Sequence, residues 1–192
     1  MRNSLRKNLA IVLIMAFVTL LLPSGNIRAA IKESPIGGID YKRLEALGIV
    51  KDTDKLGTEL YLKRGTLIRL AMRATGYDAS AVSENAENPF GDINASNEYY
   101  KEALLGHRLG IISAGNVRLY DYATSSEVAK VLCGITGYGE LCEKKGGYPA
   151  GYMAVAAECG ILDGIDSEDY SSGITKGQFA QMLYNALDVP WI

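Results

Sequence analysis

Histidine is almost absent from this sequence of 192 residues, which contains only His107. His107 lies three residues before Gly110, in the last turn of a predicted helix. A cationic ring interacts favourably with the helix dipole there, so the position favours a structural role over a catalytic one. No nucleophile motif accompanies it. The sequence therefore predicts a protein without catalytic residues or a cofactor, not an enzyme.

Cysteine is also scarce, with only Cys133, Cys142 and Cys159 in the chain. An odd number at spacings of 9 and 17 fits neither a disulfide framework nor a CxxC metal site. The favoured interpretation is three small buried apolar side chains, while a bridge between Cys133 and Cys142 stays open. The segment that begins at Asp52 starts like a calcium-binding EF-hand loop, but its twelfth position is Lys63 rather than the glutamate that binds calcium. We expect no metal site.

Long apolar runs are limited to residues 9–22, about 14 residues, which is shorter than the roughly 20 that cross a bilayer as a helix. This run follows a basic N-terminus and is followed by the small residues Ala29 and Ala30. The layout is typical of a secretory signal peptide, which we assign to residues 1–30. A retained membrane anchor is the alternative. We expect export, and no stable membrane insertion after cleavage.

The chain also lacks an excess of positive charge. Residues 1–30 contain four basic residues and no acidic ones, so the remainder has 16 basic against 22 acidic residues, a formal charge of −6. Binding to nucleic acid requires clustered lysine and arginine, which release counterions from the phosphates. Nucleic acid is therefore excluded as a partner. An anionic ligand has to be held by a few local cations.

What the sequence does contain is one helical pattern in three copies. Thr175 and Gln178 form a Thr-x-x-Gln capping box, followed by apolar residues at the spacing of one buried helix face. Thr124 and Glu127 begin a second copy in the same way. In a third copy, Lys63 replaces the capping threonine while the apolar positions remain. We interpret the four box residues primarily as structural helix caps.

A second element precedes each of these capped helices. The pattern apolar, Gly, Ile, apolar occurs at Gly48, Gly110 and Gly160. Glycine directly after a helical run and before an apolar residue is typical of a Schellman stop, in which glycine takes the left-handed conformation. We therefore expect these three glycines to end three helices.

Each copy is thus a helix, a glycine stop, a polar loop and a capped helix. Strand-like alternation is nearly absent, so the predicted fold is all-α. A single copy cannot bury its apolar face, and three copies should share one core. We assign the repeats to residues 31–80, 84–138 and 139–192. The segments 79–89 and 137–147 are predicted to be linkers.

These motifs resemble a known family. The second copy contains, in order, Phe90-Gly91-Asp92-Ile93, an aromatic-led helix from Tyr99, Leu109-Gly110-Ile111, and the box Thr124-Ser125-Ser126-Glu127. This succession is similar to the S-layer homology (SLH) domain, whose members carry Phe-x-Asp-Val, Leu-Gly-Ile and Ile-Thr-Arg-Ala-Glu. The resemblance covers about residues 36 to 188, as a divergent set of three repeats.

The resemblance implies a pseudo-threefold, three-pronged helical spindle that anchors exported proteins non-covalently to the secondary cell-wall polymer of Gram-positive-type envelopes, as in S-layers. The polymer is often bound through a pyruvylated amino sugar, held by the arginine of the Ile-Thr-Arg-Ala-Glu motif. That position is Arg64 in the first copy, Ser125 in the second and Lys176 in the third. Arginine binds a carboxylate through two parallel hydrogen bonds, so we rank Arg64 above Lys176.

The resemblance places further polymer-binding positions at Asp92, in the Phe-x-Asp element, and at Gly48, Gly110 and Gly160. We expect Arg64 to be exposed beside a helix start, so that its removal leaves the fold intact. Because Ser125 carries no charge, an alternative function stays open. This is an envelope scaffold or protein-interaction module on the same fold, with decayed sugar sites.

Overall fold

The computed structural model describes residues 41–54, 60–83, 87–165 and 171–192. The predicted signal peptide and residues 31–40 of the first predicted repeat lie outside the described residues. All described residues belong to one compact unit. Within these ranges the chain is mostly helical, and isolated backbone pairings take the place of strands. At this level the predicted all-α fold is confirmed.

Seven α-helices lie within the described ranges. In chain order they are α1 (Tyr41–Ala46), α2 (Arg64–Ala74), α3 (Tyr100–Arg108), α4 (Ser125–Ile135), α5 (Gly139–Lys144), α6 (Ala150–Glu158) and α7 (Lys176–Ala186). Two short 3-10 turns are present at Asp52–Asp54 and Ala79–Ala81. None of these described helices has the length and apolar character that a membrane span requires.

The three predicted glycine stops are confirmed at the ends of α1, α3 and α6. Gly48, Gly110 and Gly160 have φ values of +69°, +74° and +81°. In each case the next amide donates to the carbonyl five residues earlier, as in a Schellman motif. These bonds are Ile49 to Leu44 at 3.0 Å, Ile111 to Gly106 at 2.9 Å and Ile161 to Ala156 at 2.8 Å. The isoleucines are buried, so each stop also contributes to the core.

Both predicted capping boxes form. The hydroxyl of Thr124 accepts a hydrogen bond from the amide of Glu127, and the Glu127 carboxylate accepts one from the Thr124 amide in return. Thr175 and Gln178 make the same reciprocal pair at the start of α7. At the start of α2, Lys63 makes no side-chain capping bond. Helix α2 therefore begins without the stabilisation that a capping side chain gives to α4 and α7.

The predicted linker over residues 137–147 is wrong, because helix α5 occupies most of it. Gly137, at φ +91°, turns the chain at the end of α4, and α5 then packs against α4 and α6. Cys142 is the buried residue of α5. With one buried position in six residues, α5 has too little apolar periodicity to be recognised from sequence. It is held in place by tertiary packing.

A ring of three backbone hydrogen bonds joins the segments that precede α2, α4 and α7. The amide of Leu62 donates to the carbonyl of Ile174 at 2.8 Å, Ile174 donates to Ala123 at 3.0 Å, and Ala123 donates to Leu62 at 2.8 Å. Each residue lies directly before the N-cap of its helix, and all three are buried. The starts of the three helices are therefore fixed relative to one another.

The core surrounds α4. This helix packs against α2, α5, α6 and α7, while α3 packs on α2. The largest fully buried side chains come mainly from α2, α4 and α7 and from the segments that lead into them. They include Leu62, Leu67, Leu70, Met72, Leu119, Leu132, Ile161, Ile174, Phe179, Met182 and Leu183. One shared apolar core thus connects regions far apart in the sequence.

Candidate functional site

A pocket of about 120 Å³ lies between the first turn of α2, the middle of α4 and the segment that follows Gly110. Apolar side chains form one part of its wall, and charged or polar side chains form the rest. The apolar part comprises Leu67, Ile68, Ile111, Ile112, Ala114, Val117 and Val131, and the polar part comprises Arg64, Ser113, Asn116, Glu127 and Lys130. This is the chemical character of a site for a polar ligand with an apolar face.

Arg64 begins α2 and reaches across to the second predicted repeat. Its Nε donates to the carbonyl of Val117 at 2.8 Å, and its Nη1 forms an ion pair with Glu127. The Arg64 side chain is 20% exposed. The expectation that it is exposed is therefore wrong, because Glu127 and the 111–117 segment enclose it. Removing this side chain would leave the Glu127 carboxylate without its ion-pair partner.

The electrostatic environment of Arg64 is mixed. Burial, and then the nearby positive charge of Arg118, lower the pKa of the Arg64 guanidinium. A guanidinium nevertheless stays protonated at neutral pH. Glu127 neutralises this charge locally, so the ion pair brings little net charge to the pocket. Lys130, on the same wall, then supplies one net positive charge.

Glu127 links the cap of α4 to α2. One carboxylate oxygen accepts the amide of Thr124 at 3.1 Å, and the other pairs with Arg64. Sequence analysis predicts only the capping role, because the partner lies 63 positions away. The signal that could have indicated a second role is that only this copy has an acid at the box position.

Lys130 and Tyr148 extend the polar rim, and the sequence analysis did not single out Lys130. Lys130 Nζ lies 5.6 Å from the ring centroid of Tyr148, within the range of a cation–π contact. The Tyr148 hydroxyl hydrogen-bonds to the Ser126 hydroxyl at 3.0 Å, and the residue is 48% exposed. Lys130 lies three residues after Glu127, on the same side of α4. That helical spacing was the available signal.

Asp92 supports the wall of the pocket from behind. Its carboxylate accepts hydrogen bonds from the amides of Val117 at 2.9 Å and Arg118 at 2.7 Å. Arg118 has a φ of +49°, which is unusual for a residue other than glycine. Asp92 therefore holds the turn whose Val117 carbonyl accepts Arg64. Asp92 and Arg64, both predicted site residues, are thus connected through the backbone of Val117.

Lys176 lies at a separate junction. It begins α7, and its Nζ donates to the backbone carbonyl of Asp54 at 3.1 Å. Arg64 makes the same kind of contact with Val117, so the two cations occupy equivalent positions. Ser125, the first residue of α4, is buried. Of the three predicted glycines, Gly110 directly precedes the pocket wall, while Gly48 and Gly160 lie at the other two helix ends.

His107, the histidine that the sequence singled out, has a structural environment. His107 makes a 2.9 Å hydrogen bond between Nδ1 and the carbonyl of Ile112, and its ring packs edge-on against Phe90. Within the described ranges, no cluster of three or more His, Cys, Asp or Glu side chains could hold a metal ion. Cations, an amide and a hydroxyl beside an apolar wall suit a small anionic group.

Comparison with protein-family models finds no match to this chain, and comparison with curated proteins finds no match either. The resemblance to the SLH domain therefore depends on the motifs themselves. The geometry of the pocket between α2 and α4 stands beside those motifs.

Proposed function

We propose that this protein is exported and binds the secondary polysaccharide of a Gram-positive-type cell wall without catalysis. The observation that carries the proposal is the α2/α4 pocket, where Arg64 and Lys130 lie on one wall beside an apolar surface. Export rests on the signal-peptide pattern of residues 1–30. Retention at the wall or S-layer would follow from polymer binding.

The arrangement we propose is three SLH-like repeats in a pseudo-threefold, three-pronged spindle. Two features support it. The three glycine stops have the same hydrogen-bond pattern. In the ring of Leu62, Ala123 and Ile174, each segment donates one backbone hydrogen bond and accepts one. In such a spindle, we expect ligands to bind at the junctions between prongs, and the α2/α4 pocket would be one of these junctions.

The charges of the pocket match a ligand with a single carboxylate. A guanidinium has five N–H donors, and the two protein partners of Arg64 engage two of its nitrogens, so donors remain for an anion. Arg64 and Glu127 compensate each other, and Lys130 contributes the net positive charge. A pyruvylated sugar carries one such carboxylate. Tyr148, beside Lys130, offers an aromatic face for the sugar ring.

Lys130→Met tests the proposal with the least risk to the fold, because Lys130 makes no ion pair among the described residues. We expect a loss of about ten-fold or more in affinity, since a charge-assisted hydrogen bond contributes about 1.5 to 3 kcal/mol. The measurement is calorimetric titration with polymer fragments. Lys144→Met, at a lysine on α5 whose side chain is 76% exposed, is the control for loss of charge, and we expect wild-type affinity.

Polymer chemistry provides the second arm of this experiment. A pyruvyl-free polymer should bind the wild type about as weakly as the normal polymer binds Lys130→Met. Arg64→Lys keeps the charge but loses the planar donor pair, so it should weaken binding while largely preserving the contact with Glu127. Equal affinity of wild type and Lys130→Met for the pyruvylated polymer would reject this pocket as the site.

The second candidate function is an envelope scaffold or protein-interaction module on the same fold. It is favoured by an exposed apolar cluster near the three-segment ring, formed by Leu60, Tyr61 and Tyr122. The two tyrosine rings lie 5.5 Å apart, and each of the three residues is more than half exposed. Envelopes tested before and after extraction of their polymer separate the two functions. Retention after extraction would favour the scaffold.

A further inference from the structure

We propose that Cys133 and Cys142 form a disulfide bond when the protein folds in an oxidising compartment. The inference rests on the proposed export for its setting, because disulfides persist mainly outside the cytosol. Both residues are thiols in this structure and both are fully buried. The Cys133 thiol donates to the carbonyl of Tyr152 at 3.8 Å, and it also interacts with the Cys142 thiol across the α4/α5 contact.

The backbone brings the two cysteines together independently of their side chains. Gly137 reverses the chain after α4, and the amide of Tyr138 donates to the carbonyl of Cys133 at 2.8 Å. The carbonyl of Tyr138 in turn accepts the amide of Cys142 at 3.0 Å. Cys133 and Cys142 are therefore both anchored on one residue between them.

Cys159 is the cysteine left over. It lies at the end of α6 and is partly exposed, and its influence on the other two thiols is electrostatic, without a hydrogen bond. This accounts for the odd number of cysteines in the chain. A bridge between positions 133 and 142 uses the two buried residues and leaves the more accessible one as a thiol.

The burial of Cys133 and Cys142 indicates at which stage of folding the disulfide bond forms. Burial raises the pKa of both Cys133 and Cys142, which disfavours the thiolate that attacks a disulfide. Exchange in the folded protein is therefore slow. The bond forms while α5 is still undocked and becomes protected when α5 packs against α4 and α6.

The oxidant is a disulfide donor, such as glutathione disulfide or an extracytoplasmic thiol oxidase. The thiolate of one cysteine attacks a sulfur of the donor, which breaks the donor bond and releases one thiolate. The second cysteine thiolate then attacks the cysteine sulfur of the mixed disulfide, forms the Cys133–Cys142 bond and releases the second donor thiolate. The two cysteines lose two electrons to the donor, and their two protons are taken up by the departing thiolates.

The bond would tether α5, which among the described helices is the one additional to the repeat pattern. α5 approaches α6 closely, since a Cβ atom on Gly151 would lie 2.2 Å from the carbonyl oxygen of Cys142. Cross-linking α5 to α4 restricts the unfolded chain and holds this segment between the second and third repeats.

The test uses purified mature protein, so its outcome does not depend on where the protein is located or on whether it binds polymer. The reduced protein is denatured and then refolded with a mixture of reduced and oxidised glutathione. Remaining thiols are counted by alkylation in denaturant and intact mass. We expect one labelled thiol instead of three, and peptide mapping should identify it as Cys159.

Cys159→Ala is the matched control, and it should refold with no labelled thiol. The melting temperature of oxidised wild type and of oxidised Cys159→Ala should fall on addition of a reductant. Three labelled thiols in folded wild type, or a bridge that includes Cys159, would overturn the proposal. Both measurements are made without substituting Cys133 or Cys142, so the result holds even where Cys142→Ala fails to fold.

Discussion

Gly110 shows how a single residue determines where a helix ends. Its φ of +74° lies in the left-handed region, and a Cβ added there would meet no atom within 4 Å. Gly110→Ala should therefore destabilise the protein by about 1 kcal/mol, from backbone conformation alone. Gly139 is the matched control, because its Cβ would also point into open space but its backbone is helical. Gly139→Ala should be neutral or slightly stabilising. Urea unfolding measures both, and equal effects of the two substitutions would contradict this assignment.

Tyr152 connects stability to alkaline pH. Burial, and then the 2.9 Å hydrogen bond from its hydroxyl to Glu143, raise the pKa of Tyr152 to about 12. An unfolded tyrosine ionises near pH 10. The contribution of this group to stability is therefore fully present below about pH 10 and is lost as the pH rises towards about 12.

The substitution Tyr152→Phe removes this part of the pH dependence. We expect the free energy of unfolding of the variant to decrease less than that of the wild type between about pH 9 and about pH 11.5. Urea titrations at several pH values measure the slope. Tyr77→Phe, at a residue that is 61% exposed, is the control. A Tyr152→Phe slope that matches the wild type would refute the expectation.

Local residue patterns predicted backbone geometry well and side-chain partners poorly. Gly48, Gly110 and Gly160 are correctly placed because a Schellman stop is determined by about six consecutive residues. The prediction that Arg64 is exposed was wrong, because its burial depends on Glu127, which follows 63 positions later. Lys130 was overlooked for the same reason, since its place on the pocket wall depends on how α2 packs on α4.

At the scale of helices, the two capping boxes should contribute to stability and the third helix start should not. Thr124→Ala and Thr175→Ala each remove a hydroxyl that accepts an N3 amide, so each should cost about 1 kcal/mol. Lys63→Ala is the matched control, because Lys63 makes no capping bond. Its cost should stay below about 0.5 kcal/mol. Chemical denaturation measures all three, and a Lys63→Ala cost as large as the other two would show that the caps are not the cause.

Helices with a cap, an apolar face and a stop were predictable, and α5 was not. Its six residues bury only Cys142, so its sequence has neither a clear period nor a capping side chain. The backbone pairings that join the segments before α2, α4 and α7 were also beyond local patterns. They connect residues 49 or more positions apart, such as Thr124 and Gly173. Their formation depends on the whole chain having folded.

At the scale of the whole molecule, the ring of Leu62, Ala123 and Ile174 makes three distant segments depend on one another. Each residue donates one backbone hydrogen bond and accepts another within the ring. Opening any one segment therefore breaks two of the three bonds. This closed arrangement predicts that the three helix starts lose structure together, in one cooperative transition.

Native-state hydrogen exchange tests this prediction directly. The amides of Leu62, Ala123 and Ile174 should exchange with one common free energy, equal to that of global unfolding. Leu62→Ala removes a fully buried side chain and should destabilise the protein by about 2 to 5 kcal/mol. Protection at Ala123 and Ile174 should fall by the same amount, although neither residue is changed. Leu47→Ala, at a leucine that is 57% exposed, is the control and should leave all three amides protected. If Ile174 kept its protection in Leu62→Ala, the third segment would be shown to fold independently of the ring.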